Sequence, residues 1–461
     1  MAELEQGLHR GLNRWHALAV VVGSVVGTGI YIRPASIAQL VGSPALVMTV
    51  WLCAGSLSLA GALTYAQLSA RIPRSGGEYA FLRITLGELP AFLFGWMRLT
   101  VSVGTCAAMA VAVTVFLSDF ASLGGPWIRV ALPGSSTGPQ LEFGARQALA
   151  VLIISGLAIL NLRGVGHAGR FQAGVTALKV AGLCGLIGGV LLWGHAPSLP
   201  AMPPGGDLPG SPGPMAFSGA LLGAMVAFNG WASVAMLAGE VKEAERTVPW
   251  ALFWGLLVVI ALYVLVNVAY LYVLPFDEVA GANSASHPDA PSVASRAALA
   301  ALGPRIGAIL PALFMLSALG TLHCNLMAVP RVFYAMASDG LMPAALARVA
   351  PTARTPAVSI LAVAGVAALL AVVGSYDRLS SMATFGNILF FALNAWGLIR
   401  WPAGRSAGRL RWIPWVFLAG SSWLLVTVIA RGSVEIVWAL VMIGAGVPVY
   451  GAIRMLRRSS P

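Results

Sequence analysis

The sequence predicts an all-α integral membrane protein with twelve transmembrane helices, in which two inverted repeats of five helices are followed by two additional helices. First, 58% of the 461 residues are hydrophobic and only 10% are charged, and the mean hydropathy is +0.84. These values lie outside the range of globular proteins. Second, apolar runs of about 18 or more residues recur, each long enough to cross a bilayer as a helix. Third, two of these runs are interrupted by glycine and polar residues.

The twelve predicted spans follow the apolar runs in chain order. They are 15–42, 44–70, 88–118, 143–162, 169–193, 215–239, 249–274, 306–334, 356–373, 379–399, 411–430 and 434–453. The chain starts with a polar segment of mixed charge, and its first apolar run is too long for the hydrophobic region of a signal peptide. We therefore expect the first span to remain in the mature protein.

The basic residues predict the orientation. Placing the N-terminus in the cytoplasm puts about nineteen of the 28 Lys and Arg residues in inner loops and tails and about six outside. Both termini are then cytoplasmic, and the protein is expected in the cytoplasmic (inner) membrane. The net charge of +12 would suggest nucleic acid in a soluble protein. Here the basic residues are spread over short loops without interleaved aromatic residues, so we expect anionic lipid headgroups and no nucleic acid.

Other classes of function have little support in the sequence. The four cysteines, Cys53, Cys106, Cys184 and Cys324, lie within predicted spans without metal-type spacing, so we interpret them as core residues. No cluster predicts a metal or cofactor, and no base with an orienting partner predicts an enzyme. A channel would need charged or carbonyl-rich filter rings, which are not evident.

The predicted repeats are separated by the loop 194–214, which is rich in proline and glycine. Five helices lie on each side of it, and an odd number forces the second half to enter the membrane from the opposite face. This is the architecture of an inverted repeat. We assign the first repeat to 15–194, the second to 212–400 and the two additional helices to 411–454.

The first span of each predicted repeat carries a break. Residues 20–30, VVVGSVVGTGI, contain three glycines, and residues 226–233, VAFNGWAS, contain polar residues at the corresponding place. Gly23 and Gly27 alone are more typical of close helix packing. Their combination with Gly29, two hydroxyl residues and the matched second break favours unwound segments of spans one and six, which must line a cavity enclosed by protein.

Five stretches carry a resemblance to a known family. They are GSVVGTGIY at 23–31, RIPRSGGEYAFL at 71–82, NLRGVGHAGRFQAGVTALKVAGL at 161–183, FNGWASVAMLAGEVKEAERTVPWAL at 228–252 and PRVFYAMASDGLMPAAL at 330–346. The chain resembles the amino acid, polyamine and organocation transporter superfamily, and within it the L-type amino acid transporter group. The resemblance extends from about residue 14 to about residue 400. It implies the LeuT-like inverted-repeat fold, with an amino acid bound between the unwound parts of helices one and six.

The residues at the breaks suggest how an amino acid would be held. The half-helix that begins near Gly27 offers free N–H groups and a positive dipole end to an α-carboxylate, with Thr28 as a hydroxyl donor and Gly29 allowing close approach. Freed carbonyls would accept from the α-ammonium; we assign them to Val25, Val226, Phe228 and Asn229.

The predicted substrates are neutral and small. No acidic residue lies in the interior of a predicted span, which argues against a cationic side chain or a polyamine. Similar transporters carry glycine where Asn229 stands, and Asn229 would narrow the pocket. We therefore favour alanine, serine, glycine or cysteine as substrates of secondary active transport.

Lys179 lies about ten residues into span five and is one of only two lysines. One interpretation is that it snorkels to the cytoplasmic interface, although about 15 Å of helix rise makes this difficult. The resemblance implies another: the ammonium takes the place of a transported cation and links broken helix one to helix eight, so that transport is sodium-independent. A buried lysine can also lose its proton, which leaves proton-coupled symport as an alternative to exchange. Exchange itself is implied by the resemblance alone.

Further polar residues are assigned less specific roles. Arg98 is expected to be structural, paired with Glu88 or a carbonyl, and Glu240 to tie helix six to the scaffold. His323 either senses pH beside Lys179 or packs through a hydrogen bond.

Two loop segments and one partner complete the expectations. Residues 74–81 resemble an inner gate segment, and a short helix is predicted near 292–301 in a loop that caps the outer vestibule of similar proteins. The loop 119–142 has no cysteine, so no disulfide-linked heavy-chain subunit is expected.

Overall fold

The computed structural model describes residues 7–131, 140–195, 213–284, 286–287, 290–373, 376–402, 410–432 and 434–459. Nineteen α-helices form most of this part of the chain. They are α1 Arg14–Val25, α2 Gly29–Val41, α3 Pro44–Arg71, α4 Glu78–Thr85, α5 Glu88–Met97, α6 Val103–Leu117, α7 Ala145–Leu162, α8 Val165–Trp193, α9 Pro214–Phe228, α10 Ser233–Met236, α11 Ala244–Val273, α12 Phe276–Ala280, α13 Val293–Gly307, α14 Leu310–Ser338, α15 Ala357–Val373, α16 Tyr376–Arg400, α17 Ile413–Ala430, α18 Val434–Gly444 and α19 Gly446–Ser459.

Short elements complete the chain. One turn of π-helix, Arg98–Ser102, joins α5 to α6, and 3-10 turns lie at Ala238–Glu240 and Ala344–Ala347. Two strands, β1 Ile128–Ala131 and β2 Gln140–Phe143, pair antiparallel. The sequence analysis did not predict this hairpin, because the loop 119–142 lacks an alternating apolar pattern strong enough to stand out between two apolar spans.

The described residues contain nine helices that are long and apolar enough to cross a membrane. A tenth is formed if α1 and α2, bent by 41° across a short break, are counted as one span. Two shorter apolar helices, α9 and α15, lie where spans six and nine are predicted. The chain is therefore a multi-pass membrane protein, while the count of twelve spans and the inverted repeat stay predictions.

Local chemistry explains where helices begin and end. Asn13 caps α1 by accepting hydrogen bonds from the N–H groups of Trp15 and His16, at 3.0 and 2.9 Å. Gly42 ends α2 in the left-handed conformation, with φ of 70°. Ser43 then caps α3, whose first residue is Pro44. These signals stand in the sequence beside each break between helices.

The bundle is closed by polar contacts at the end that carries the N-terminus, called here the N-terminal end. Leu12 forms a short parallel bridge with Val241, which follows α10. Glu240 and Arg331, both fully buried, make a bidentate ion pair of 2.6 and 3.0 Å between this segment and α14. This contact agrees with the expectation that Glu240 ties helix six to the scaffold.

Candidate functional site

The break between α1 and α2 covers Val26 to Thr28. Gly27 donates from its N–H to the carbonyl of Val25 at 2.7 Å, a tight turn that replaces the helical ladder. Gly29 opens α2 at a point of close approach, because a Cβ there would lie 3.0 Å from Cα of Ala227 in α9. The predicted unwinding of this helix is thus present, and its second half touches the other broken helix.

The break between α9 and α10 covers Asn229 to Ala232. Gly230 has φ of +122°, a conformation that L side chains rarely adopt. A Cβ on Gly230 would lie 2.7 Å from the carbonyl oxygen of Ser24. The Ser24 hydroxyl, at 2.9 Å from the Gly230 oxygen, donates across the same contact. The two breaks therefore face each other directly.

Tyr263 of α11 connects the two breaks, which the sequence analysis missed. Its hydroxyl is 2.9 Å from the carbonyl of Val25 and 3.0 Å from the carbonyl of Ala227, and it can donate its single proton to one of them at a time. The side chain is fully buried. The role of this tyrosine could not be predicted from the sequence around it, because its hydrogen-bond partners lie 238 and 36 residues away in the chain.

A cavity of about 710 Å³ lies against both breaks. This volume is within the range of small-molecule pockets, about 300–1,000 Å³. Six of the predicted residues line it: Val25, Gly27, Thr28, Gly29, Val226 and Asn229. The structure places Phe228 elsewhere; its ring packs against Trp51 and Tyr263, with centroids 6.0 and 4.9 Å away.

The opposite walls of the cavity are polar. Hydroxyl and amide side chains from the π-helix turn, α6, α14 and α16 line them: Ser102, Thr105, Thr321, Asn325, Thr384 and Asn387. Asn387 of α16 donates from Nδ2 to Oδ1 of Asn229 at 3.2 Å. This hydrogen bond connects α16 to the second break. Sequence reasoning did not single out these residues, because isolated Ser, Thr and Asn in apolar helices are frequent packing residues.

Lys179 lies behind the first break and does not line the cavity. Its ammonium donates to the carbonyls of Gly23 and Val26, both at 2.8 Å, and the side chain is fully buried. Gly320 of α14 leaves room for it, since a Cβ there would lie 2.7 Å from Nζ. The ammonium therefore joins the broken helix to α8 and packs on α14, and it does not reach the surface.

Arg98 lines the cavity on the side nearest the N-terminal end of the bundle. Its acidic partner is not Glu88, the acid that the sequence analysis named. Its guanidinium is 3.5 Å from Oε1 of Glu78, a fully buried residue at the start of α4. Glu88 instead lies 3.7 Å from Arg83 and 4.0 Å from Arg457. The sequence analysis overlooked Glu78 because it lies between two predicted spans.

Two further predictions concern His323 and the short helix near 292–301. His323 does not line the cavity; its Nδ1 lies 2.8 Å from the Gln172 amide oxygen, an arrangement that matches the packing interpretation. The predicted short helix is present as α13, with Ser292 as its cap. Asn283 and Ser284, which precede that helix, line the cavity at the end opposite Arg98.

The arrangement can hold a small zwitterion. The first N–H groups of α2 have no partner within their own helix, and they carry the positive end of its dipole, which suits a carboxylate. Among the residues that the structure describes, no group of three or more His, Cys, Asp or Glu side chains is placed to hold a metal ion.

Comparisons with known proteins agree with these features. The amino acid permease family matches residues 12–452. The serine/threonine exchanger SteT of Bacillus subtilis is 27% identical over 465 residues, which cover 99% of each chain. The human cystine/glutamate transporter is 27% identical over 85% of this chain and 74% of its own. The human Asc-type amino acid transporter 1 is 26% identical over 94% of this chain and 80% of its own.

Proposed function

This chain belongs to the amino acid permease family, and on that premise we propose that it exchanges small neutral L-amino acids across the cytoplasmic membrane without sodium. Alanine, serine, glycine and cysteine are the substrates that we favour. The observation that carries the proposal is one cavity of about 710 Å³ walled by both helix breaks. A relative that is a serine/threonine exchanger supports both exchange and a small polar substrate.

In this proposal the substrate carboxylate lies at the start of α2, beside Gly27, Thr28 and Gly29. The ammonium needs carbonyl acceptors, and those of the first break are largely engaged. Val25 already accepts from the Gly27 N–H and from Tyr263. Phe228 does not line the cavity, and the Val226 carbonyl already accepts from the Asn229 N–H at 3.3 Å, so the Asn229 carbonyl is the acceptor that we propose at the second break.

Transport would proceed by alternating access. The two predicted repeats, 15–194 and 212–400, would rock around the cavity, with 411–454 outside the moving core. Both termini would be cytoplasmic. We further propose that no disulfide-linked subunit is needed, since the loop 119–142 contains no cysteine.

Lys179 is proposed to act as a fixed positive charge in place of sodium. Its two carbonyl contacts hold α1 against α8 whether or not an ion is bound. The alternative is proton-coupled symport, in which Lys179 releases its proton during the cycle. Full burial of the amine, with carbonyl oxygens as its hydrogen-bond acceptors, is the observation that favours considering it.

The test is uptake of labelled L-alanine and L-serine into proteoliposomes, with and without internal amino acid, sodium and an inward proton gradient. We expect uptake that requires internal amino acid and ignores both ions. Lys179→Ala should reduce it at least tenfold, a loss of about 1.4 kcal/mol, because one carbonyl in the first break and one in the last turn of α1 lose a charged donor. Lys242→Ala, at the other lysine, is the matched control and should leave uptake unchanged.

Each outcome separates the hypotheses. Proton-driven uptake into empty vesicles that disappears in Lys179→Ala would replace exchange by symport. Dependence on sodium would contradict the role of Lys179 as a fixed charge. If no neutral amino acid is transported, the substrate assignment is wrong.

A further inference from the structure

A second cavity, of about 260 Å³, lies at the N-terminal end of the bundle. It is bounded by the segment that leads into α4, by α4 itself and by the last turn of α14. The polar residues that line it are Arg74, Ser75, Tyr79, Arg83, Tyr334, Ser338 and Asp339. None of them lines the first cavity.

The Arg98–Glu78 ion pair links residues beside the two cavities. Arg98 lines the first cavity and contacts Glu78, whose side chain is fully buried, at 3.5 Å. The next residue, Tyr79, lines the second cavity. The Glu78 Oε2 and the Arg98 Nε have no hydrogen-bond partner, so the pair is held by one long contact where two are possible. The contact between Arg98 and Glu78 is therefore weakly bonded.

The second cavity offers a positive group that has no ion-pair partner among the described residues, and a carboxylate that is engaged through one of its two oxygens. Arg74 forms no ion pair within the described part of the chain, and it is exposed. Asp339 accepts from the Tyr79 hydroxyl at 2.9 Å and pairs with Arg83, both through Oδ2. Among the described residues the Asp339 Oδ1 forms no hydrogen bond or ion pair, so this oxygen can accept a further hydrogen bond.

The second cavity also contains a buried hydroxyl group without a hydrogen-bond partner among the described residues. Ser75 is 4% exposed, lines the second cavity, and its Oγ has no hydrogen-bond partner. Buried polar atoms are nearly always satisfied in native proteins, by protein, water or a ligand. A ligand with both donors and acceptors would therefore complete this site.

We propose that the second cavity binds a small zwitterionic amino acid on the N-terminal side, with its carboxylate on Arg74 and its ammonium on Oδ1 of Asp339. The proposal rests on the proposed function, because it assigns the same substrate a second site on its route. An inorganic anion fits less well, since it would meet the Asp339 carboxylate. A metal cation would likewise meet Arg74 and Arg83.

This site would hold the amino acid before it enters, or after it leaves, the first cavity on that side. Opening of the Arg98–Glu78 contact would join the two cavities. Substitutions at this site should then change the half-saturating substrate concentration at one face of the membrane only. A general disturbance of the fold would change it at both faces.

The experiment measures L-serine exchange by oriented proteoliposomes, varying the L-serine concentration at one face at a time. For Arg74→Gln, and separately for Asp339→Asn, we expect the half-saturating concentration at the N-terminal face to rise about three- to fivefold, the effect of losing one partly exposed ion pair. At the opposite face it should change less than twofold. Arg71→Gln, at an exposed arginine that bonds the carbonyl of Gln67 and does not line the cavity, should be neutral at both faces.

The outcomes distinguish this proposal from the proposed function. Equal changes at both faces, or no change in either variant, would overturn the second site while leaving exchange through the first cavity intact. Inhibition of the unmodified protein by inorganic phosphate that weakens in Arg74→Gln, with unchanged affinity for L-serine, would also overturn it. Failure of the unmodified protein to exchange any neutral amino acid would overturn both proposals.

Discussion

At the scale of single residues, the two breaks depend on donors that come from other helices. Lys179 donates to one carbonyl in the first break and to one in the last turn of α1, and the Tyr263 hydroxyl lies between a carbonyl at the end of α1 and one at the end of α9. Unwound backbone in an apolar setting is costly unless its polar groups are satisfied. Two side chains therefore make the breaks stable, although neither side chain is in a break.

Tyr263→Phe should weaken the contact between the breaks. Loss of the hydroxyl leaves the Val25 and Ala227 carbonyls without this donor and should lower the free energy of unfolding by about 1 kcal/mol. We expect a several-fold higher half-saturating L-serine concentration in proteoliposomes. Tyr270→Phe on the same helix is the control, because the Tyr270 hydroxyl is buried without a partner and its removal should be neutral or stabilising.

At the scale of elements, small residues let the broken helices approach each other. Gly29 faces α9 and Gly230 faces Ser24, and at both positions a Cβ would come within 3.0 Å of backbone atoms. Close backbone contact also brings the freed polar groups of both breaks to one cavity. These two glycines therefore allow the backbones of the two broken helices to come into contact, in addition to giving the chain conformational freedom.

Gly230→Ala should disrupt this contact. The methyl group would meet the Ser24 carbonyl at 2.7 Å, and φ of +122° would be strained for alanine. We expect exchange to fall at least tenfold, with stability reduced by about 1–3 kcal/mol. Gly223→Ala on α9, the helix before the break, should retain activity, since its Cβ would meet only Ile37 at 3.7 Å. Normal transport by Gly230→Ala would contradict the proposed contact between the breaks.

The Glu240–Arg331 pair predicts a large stability effect. Both side chains are fully buried, so Glu240→Gln leaves the Arg331 charge without its counter-ion. We expect the unfolding free energy to fall by about 3–5 kcal/mol, measured by thermal denaturation in detergent. Glu88→Gln is the comparison, because its partly exposed contacts at 3.7 and 4.0 Å should be worth less than about 1 kcal/mol. Equal losses would mean that burial is not the deciding factor.

At the scale of the whole molecule, the first cavity reaches one end of the bundle and is closed at the other. It extends from Ser36 and Ser284 to Arg98. Beyond Arg98, contacts made by Glu78, Glu240 and Leu12 close the N-terminal end. This conformation is therefore one in which the cavity faces away from the N-terminus.

Thiol labelling can test this conformation. In a background with the exposed Cys53 and Cys184 replaced by alanine, Ser36→Cys should react with a membrane-impermeant reagent from the face opposite the N-terminus. L-serine should slow that reaction. Ser338→Cys, in the second cavity, should react only from the N-terminal face. Reaction of Ser36→Cys solely from the N-terminal face would contradict the orientation of the cavity.

Much of the site follows from residue type and position along the chain. The glycines at 23–29 and the Asn229–Gly230 pair marked the two breaks, and six of the seven predicted substrate-site residues line one cavity. Phe228 does not, because the helix continues to that residue and turns its ring toward Trp51. The predicted acidic partner of Arg98 was wrong. Glu88 is closer in sequence, but the turn before α4 places the Glu78 carboxylate 3.5 Å from the Arg98 guanidinium.

By itself, the sequence determined that the chain spans a membrane many times and that two helices break. These follow from local composition and from the cost of polar groups in an apolar medium. Only the tertiary structure decided that Tyr263 joins the breaks, that Asn387 reaches Asn229, and that Glu78 pairs with Arg98. Such pairings depend on how distant helices pack, and no local pattern in an apolar helix encodes the partner.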